Sequence, residues 1–381
     1  MKKLSLVFIA LFSVGYLMAQ NTSNTKQTGE GNEISVSQTG TNNLVGRVAN
    51  ASSAVTVSSQ TGDDNEATVT QDGTGNKAFF EQGTSLKYPG TLPATGDNNE
   101  ITISQTGLNN NTWGYSLGSD NIVNVTQATA GDVVQTYGPN QSTHWLWGNN
   151  NHATESQTGG TGNYAEIAAN SSDNIAGITQ VGARNWGSIG QGWIGYGSMS
   201  LNTATISQTG DRNVVSLAAG ATFTPAIPGY TSDLDGLGIQ QYGLHNTGTV
   251  TQTGSDNQAA IYQYGSQNEG TIVQSTDFNK ANLIQLGDGN SASITQEFGN
   301  SNVVNLKQDG LDGEATILQH GTGNVVKGLG LDVMATSFDG SDLNVEQRGT
   351  TNTLNLQQAD VASATVYQNG TSNVATVIQN Q

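Results

Sequence analysis

The sequence predicts an all-β fold, a β-solenoid of stacked 22-residue strand–turn–strand coils with two facing parallel, in-register sheets and loop insertions. Three observations predict it. A segment of the form N-x5-Q recurs along the chain, consecutive segments usually start 11 residues apart, and residues inside each segment alternate between aliphatic and polar. Alternation with a period of two residues is typical of a strand with one buried and one solvated face.

The repeated segment begins with Asn and ends with Gln six residues later, and 18 copies match this form without change. A buried amide without a partner costs about 1–3 kcal/mol, but Asn and Gln each carry both a donor and an acceptor, so identical residues on successive coils can satisfy one another. We therefore predict a self-assembly ladder. The amides assigned to it are Asn21, Gln27, Asn32, Gln38, Asn246, Gln252, Asn257, Gln263, Asn268, Gln274, Asn279, Gln285, Asn290, Gln296, Asn352, Gln358, Asn373 and Gln379.

The interior of each segment predicts which side chains form the core. With Asn as position 0, positions 2 and 4 are mostly Ala, Val, Ile or Leu, as at Ile34 and Val36 or at Ala259 and Ile261. Positions 1, 3 and 5 are mostly Thr, Ser, Glu or Asn, and the four residues between segments contain Gly, which predicts a turn. Two segments then make one coil, whose two strands enclose the aliphatic side chains.

An antiparallel meander is the alternative arrangement of the same strands. In an antiparallel ladder position 0 of one strand would face position 6 of the next, whereas in a parallel in-register stack Asn lies on Asn and Gln on Gln. The near-constant identity of each position favours the solenoid. A chain of this length would form roughly 16 coils.

Residues 1–19 are predicted to be a secretory signal peptide, and residues 20–381 a single repeat domain. Lys2 and Lys3 precede the apolar stretch LSLVFIALFSVGYLM, and the small residue Ala19 stands before Gln20. A retained membrane anchor is the alternative interpretation. No later stretch approaches the length of a transmembrane helix, so we expect no membrane insertion after cleavage.

The charge and composition exclude several classes of partner. The net charge of −18 becomes more negative once the two lysines of the signal peptide are removed. Such an acidic chain is not expected to bind nucleic acid, which selects basic patches. The chain has no cysteine, so neither disulfides nor thiol chemistry can operate. Acidic residues in the turns, such as Asp211 and Asp288, are interpreted as keeping the chain soluble.

No motif predicts catalysis, a cofactor or a metal site. The four histidines, at positions 144, 152, 245 and 320, lack the spacing of metal ligands and are expected in loops, in turns or on the outward face. We find no nucleophile–base pair and no phosphate-binding loop in the sequence. The chain is therefore not expected to be an enzyme.

Insertions interrupt the repeat near residues 83–98, 128–150, 192–201, 220–234 and 328–340, and we expect them to loop out at the corners of the coils. The stretches TYGPNQSTHWLWGNN and NWGSIGQGWIGYGSMS, at two of these insertions, are rich in aromatic residues, which include Trp145, Trp147, Trp186 and Trp193. These side chains either form a surface contact for carbohydrate or another surface, or pack locally on the rod. Glu155 falls at an inward position, which predicts an imperfect coil.

The stretch NTGTVTQTGSDNQAAIYQYGSQNEGTIVQ, residues 246–274, resembles the curlin repeat, S/N-x5-Q-x4-N-x5-Q with Gly in the turn. Curlins are the secreted subunits of curli, bacterial amyloid fibres of the extracellular matrix. The resemblance implies export through an outer-membrane curli-type secretion pore and self-association into a fibre at the bacterial cell surface. It also implies a role in biofilm and adhesion, with a nucleator subunit as a second candidate partner.

Three functions fit these observations. The first is end-to-end polymerisation into cross-β fibres, because no amphipathic capping helix is predicted and open strand edges template another copy. The second is a monomeric secreted β-solenoid that acts as an adhesin or carbohydrate-binding protein through its aromatic insert loops. The third, an ice-binding solenoid, is disfavoured because no regular Thr array is expected to persist on one outward face.

Overall fold

The computed structural model describes residues 21–46, 57–83, 96–129, 139–192, 200–215, 238–329 and 334–379. Every regular element in these ranges is a β-strand, and all strand pairs are parallel. The chain passes alternately between two large sheets, which confirms the predicted β-solenoid. The predicted signal peptide and Gln20 lie outside the described residues.

One sheet, called here the unbroken sheet, consists of thirteen strands that follow one another in chain order. They are β3 (Glu33–Thr41), β6 (Glu66–Thr74), β8 (Glu100–Leu108), β10 (Ile122–Ala128), β12 (His152–Gly159), β14 (Ile175–Gly182), β16 (Thr203–Thr209), β19 (Thr247–Thr253), β21 (Glu269–Gln274), β23 (Ser291–Glu297), β25 (Glu314–Thr322), β28 (Asp342–Thr350) and β30 (Ser363–Thr371).

The opposite sheet, called here the interrupted sheet, has 18 strands because several of its rungs are split into two short strands. Its strands are β1 (Thr22–Ser23), β2 (Thr25–Thr28), β4 (Leu44–Val45), β5 (Ser58–Thr61), β7 (Lys77–Gln82), β9 (Asn111–Leu117), β11 (Gln141–Trp147), β13 (Tyr164–Ala169), β15 (Trp186–Gln191), β17 (Val214–Val215), β18 (Ile239–Tyr242), β20 (Gln258–Tyr264), β22 (Lys280–Leu286), β24 (Val303–Asp309), β26 (Val325–Lys327), β27 (Ala335–Ser337), β29 (Thr353–Gln357) and β31 (Val374–Ile378).

Like residues stack on like in both sheets. Val250 pairs with Ile272, and Ile272 with Ile294, while the glutamines at the ends of the same strands also pair. The aliphatic side chains at positions 2 and 4 form one core that runs from Val45 to Ala364, enclosed between the sheets. The alternation of buried and exposed residues along each strand therefore follows the pattern in the sequence.

The positions of the insertions correct one prediction. Those near 83–98, 128–150 and 192–201 fall between strands of opposite sheets, at corners, although residues 141–147 of the second form the regular strand β11. Those near 220–234 and 328–340 instead interrupt a rung of the interrupted sheet, so the corner prediction is wrong for these two. Strand β15 pairs with both β17 and β18, and β24 with both β26 and β27.

The interruption falls at the same outward position in each split rung. The chain leaves after Val215 at position 2 and returns at Ile239 at position 4, so both buried side chains keep their places in the core. The break falls at an outward residue, so no core side chain is lost, and Gly238 still donates a backbone hydrogen bond to Ser188 on the neighbouring rung. Because the insertions use residues without adding rungs, the described part of the unbroken sheet has thirteen strands rather than the sixteen expected.

Glycine is required where the turns of successive coils lie against each other. Gly265 has φ +121°, and a Cβ there would lie 2.0 Å from the carbonyl oxygen of Gly287 on the next coil. Asp288 in that next turn accepts a hydrogen bond from the backbone N–H of Ser266 at 2.6 Å. Asp211 accepts in the same way from Ala183 at 2.9 Å. These turn carboxylates therefore link neighbouring coils, in addition to the solubility that the sequence predicts for them.

Candidate self-assembly site

The glutamines of the unbroken sheet form a continuous side-chain ladder. In each step the Nε2 of one Gln donates to the Oε1 of the Gln on the following rung, over distances of 2.7–2.9 Å. The ladder passes through Gln38, Gln71, Gln105, Gln127, Gln157, Gln180, Gln208, Gln252, Gln274, Gln296, Gln319, Gln347 and Gln368. The same Nε2 also donates across the core, as Gln274 does to the carbonyl oxygen of Gln258 at 3.0 Å.

The glutamine ladder of the interrupted sheet is broken. It runs from Gln27 to Gln82, from Gln191 to Gln308 and from Gln358 to Gln379. Between these stretches the ladder position holds Ser116, Leu146, Ala169 and Ser337. The two sheets therefore contribute unequally, and the unbroken sheet carries the amide ladder along the whole described rod.

The asparagines form a second ladder that runs in the opposite sense. The Oδ1 of Asn246 accepts both the backbone N–H of Asn268, at 3.0 Å, and its side-chain Nδ2, at 3.1 Å. The Nδ2 of Asn268 also donates to the carbonyl oxygen of Gly287 in the next turn at 2.8 Å. Each Asn thus fixes the start of a strand relative to both neighbouring coils.

The two ladders give the rod a direction. Gln side chains donate toward the C-terminal end of the rod, as from Gln252 to Gln274, whereas Asn side chains donate toward its N-terminal end, as from Asn290 to Asn268. A rung facing the N-terminal end therefore offers Gln oxygens and Asn N–H groups, and a rung facing the C-terminal end offers the complementary atoms. Every rung is built to receive another rung in the same orientation.

The outermost described rungs leave their ladder residues accessible. The side chains of β2 are all exposed and those of β3 alternate between exposed and half-buried, while β31 shows the same alternation at the other end. By contrast, Gln263 and Asn268 in the middle of the rod are buried. Of the residues that the sequence assigns to the ladder, those at the two ends are the ones placed where a second chain could contact them.

A polar cluster interrupts the aliphatic core at one level of the rod. Glu155 occupies position 4 on β12 and Ser142 position 2 on β11, and the Ser142 hydroxyl donates to the Glu155 carboxyl. Burial raises the pKa of Glu155, and the nearby Glu166 raises it further. His144, which the sequence placed outside the core, points inward instead, and burial lowers its pKa to about 3.

The geometry explains how the core accommodates the His144 ring. The residue stacked below it in the register is Gly114, and a Cβ there would lie 2.3 Å from the Cδ2 and the Nε2 of the His144 ring. Neither ring nitrogen has a hydrogen-bond partner. The cluster therefore holds one hydrogen-bonded pair, Ser142 and Glu155, beside a buried His144 ring without partners, and it is an energetic defect in the rod.

The aromatic residues lie on the outward face of the interrupted sheet. Trp145 contacts both Trp113 and Tyr115, with ring centroids 5.1 Å apart in each case, and Trp147 packs on Trp145 at 6.2 Å. The Trp113–Trp145 and Trp145–Trp147 pairs meet edge to face, so they offer no common flat surface. This geometry favours local packing, although the surface-contact role stays a prediction for these residues.

The remaining tryptophans differ from this cluster. Trp186 lies 4.8 Å from the ring of Tyr164 and is 45% exposed. Trp193 lies outside the described residues. Among the residues that the structure describes, no group of His, Asp and Glu side chains could hold a metal ion. In that same part of the chain, no helix has the length and apolarity needed to span a membrane.

The fold and the ladders define a repetitive structural protein, in which the amides of each coil form hydrogen bonds with those of its neighbours. Comparison with known families agrees with this class. The Curlin associated repeat matches residues 62–85, 96–128, 235–265, 245–275, 254–287 and 277–310. The matched residues are similar to the curlin family, whose proteins are structural fibre subunits, and they support a curli-type subunit in general. None of the curated proteins compared with this chain matches it.

The sequence did not predict the direction of the ladders, nor that the unbroken sheet is more regular than the interrupted sheet. Both depend on which segments share a sheet, and alternate segments belong to opposite sheets. A comparison of segments separated by 22 residues, rather than of all segments together, would have shown that only one of the two sets is uninterrupted.

Proposed function

We propose that this chain is a secreted structural subunit that self-assembles end to end into cross-β, curli-like fibres of the extracellular matrix, where the fibres support adhesion and biofilm. The curlin repeats support a curli-type subunit. The proposal extends this to fibre formation at the bacterial surface after export through a curli-type outer-membrane pore, with residues 1–19 removed as the signal peptide.

The observation that carries the proposal is the direction of the amide ladders. When the C-terminal end of one rod meets the N-terminal end of another, Gln donors face Gln acceptors and Asn acceptors face Asn donors, as within the rod. Two N-terminal ends placed together would bring Gln oxygens against Gln oxygens. Because a buried amide without its partner costs about 1–3 kcal/mol, head-to-tail stacking is the favoured contact.

Assembly of the purified mature chain, residues 20–381, tests the proposal. We expect thioflavin fluorescence to rise with time and aligned fibres to give a meridional reflection at about 4.7–4.8 Å. A soluble monomer that persists without this reflection would overturn the proposal.

Variants of the first rungs test the contact itself. Gln27→Lys combined with Gln38→Lys places cations at two ladder positions that a second chain would cover, and elongation of wild-type seeds should slow strongly because a buried charge is costly. Ser37→Lys changes an outward residue of the same strand and should elongate at the wild-type rate. Equal rates for the two variants would show that the ladder ends do not form the contact.

A further inference from the structure

The outward face of the unbroken sheet carries two straight columns of hydroxyl side chains. The column at position 3 contains Ser35, Thr68, Thr102, Thr154, Thr205, Thr249, Thr271, Ser293, Thr316 and Thr365, and the column at position 5 contains Ser37, Thr70, Ser104, Thr126, Ser156, Thr179, Ser207, Thr251 and Thr295. We call these two columns the hydroxyl face. All of these residues are exposed or half-exposed.

The hydroxyl face overturns the reason for which an ice-binding solenoid was disfavoured. Position 5 holds Ser or Thr on eight successive rungs, from Ser37 to Thr251. The array was hidden in the sequence because the intervening segments place residues such as Trp113 and Tyr262 at the same positions on the interrupted sheet. Pooling all segments mixes a regular column with an irregular one.

The array is regular in two dimensions. The strands pair in register, as Thr205 does with Thr249 and Ser207 with Thr251, so the columns are straight. Neighbouring hydroxyls lie about 4.8 Å apart between rungs and about 6.7 Å apart along a strand. No strand of the unbroken sheet is split by an insertion within the described residues, so the two columns continue from rung to rung.

The charge of the face selects a neutral ligand. Although the chain has a net charge of −18, neither column holds a charged side chain before Glu346 on β28; the exposed carboxylates of this face, such as Glu269 and Glu314, stand beside the columns at position 1. The face also has no aromatic ring before Tyr367 on β30, whereas sugar-binding surfaces rely on ring stacking. A repeating array of hydroxyl and methyl groups without charges or rings fits ordered water better than an ionic or carbohydrate partner.

We propose that the hydroxyl face binds ice. Its hydroxyls are spaced on the scale of the oxygen lattice of ice, and none of those described hydrogen-bonds to another hydroxyl of the face, which leaves them to hold a shared layer of water. Restraint of water at about 4.8 Å intervals lowers the entropy that the layer loses when it joins a growing crystal. The proposal rests on a single rod and does not require fibre formation.

Ice affinity of the freshly prepared, soluble mature chain tests the proposal. The labelled chain should be incorporated into a growing ice hemisphere and should inhibit recrystallisation of ice. Thr205→Lys combined with Thr249→Lys, at adjacent rungs of the hydroxyl face, should abolish incorporation. Asn355→Lys combined with Thr376→Lys makes the same change at adjacent rungs of the interrupted sheet and should be incorporated as the wild type is.

A gain-of-function variant keeps the test independent of unfolding. Gly177 interrupts the column at position 3, and a Cβ placed there has nothing within 4 Å, so Gly177→Thr extends the array without strain. This variant should inhibit recrystallisation at a lower concentration than the wild type. Equal circular dichroism spectra for all variants establish that the rod is retained.

Three outcomes would overturn the proposal. The first is exclusion of the wild-type chain from ice to the same extent as serum albumin. The second is equal loss of incorporation in the two double-lysine variants. The third is exclusion from ice together with retention on insoluble cellulose or chitin that depends on Thr205 and Thr249, which would assign the face to a glycan. Fibre formation is measured in a separate assay, so each of these outcomes can be interpreted even if the chain forms no fibres.

Discussion

A single side chain in this rod is repeated at the same place on neighbouring coils, so the environment of a residue is set largely by its own copies. Gln274 lies between Gln252 and Gln296 and exchanges amide hydrogen bonds with both. A residue that breaks the series loses this support. Glu155 is such a residue, because its neighbours in the same column of the core are Val125 and Ile178.

Replacement of Glu155 by Ile should stabilise the rod, and the gain should increase with pH. Burial raises the pKa of the Glu155 carboxyl above 4.5, so the folded chain retains a proton that the unfolded chain releases as the pH rises. The wild type therefore loses stability from about pH 4.5 upward, until the folded state also ionises. Guanidinium midpoints of both chains at pH 4 and at pH 8 measure the difference.

His144 must be separated from this effect, and its sign is opposite. Burial lowers the pKa of His144 to about 3, so the unfolded chain binds a proton below about pH 6.5 that the folded chain does not. The free energy of unfolding therefore falls as the pH drops below about 6.5, and it is unaffected by His144 above that value. Both chains in the comparison contain His144, which cancels its contribution to the difference. A gain from Glu155→Ile that is larger at pH 4 than at pH 8 would contradict the assignment.

At the scale of the element, a strand and its turn form a module that must match the module above it in backbone as well as in side chains. The turns meet this demand through glycines at positive φ, such as Gly265, that lie against a carbonyl oxygen of the next coil. The strands meet it through constant register. An insertion is tolerated where it leaves the turns and the register of the strands intact. The split rungs therefore keep their buried side chains at positions 2 and 4.

Replacement of Gly265 by Ala should destabilise the rod by several times the cost of Gly177→Ala. A Cβ at Gly265 would lie 2.0 Å from the oxygen of Gly287 and would also strain a backbone with φ +121°, whereas Gly177 lies in a strand with open space around it. Strain at a positive φ costs on the order of 1–3 kcal/mol before the clash is counted. Equal guanidinium midpoints for the two variants would show that the turns can separate without loss.

The sequence predicted the modules well and their exceptions poorly. The spacing from Asn246 to Gln296 predicted the strands, the turns and the parallel register, because identical residues must stack to satisfy buried amides. It did not predict the split rungs or the inward His144. Those features depend on which residues a fold brings to the same level, and Gly114, which makes room for His144, lies on another coil.

At the scale of the whole molecule, two opposing forces act on the proposed joining of rods. The ladders favour continued stacking in one direction, while the net charge of −18 repels one rod from another. Exposed carboxylates such as Glu269 and Glu314 stand at the first position of their strands on the unbroken sheet, along the length of the rod. The charge therefore acts mainly on the rate at which rods meet.

Fibre formation by the mature chain should accelerate with salt. Raising the ionic strength from about 0.01 M to about 0.15 M shortens the screening length from about 30 Å to about 8 Å, so rods approach against a weaker repulsion. The lag time in thioflavin fluorescence should shorten, and the 4.7–4.8 Å reflection expected of the fibres should stay unchanged. Glu269→Gln combined with Glu314→Gln should shorten the lag at low salt and reduce its dependence on salt. A lag that lengthens with salt would mean that attraction between opposite charges, rather than the amide ladder, brings the rods together.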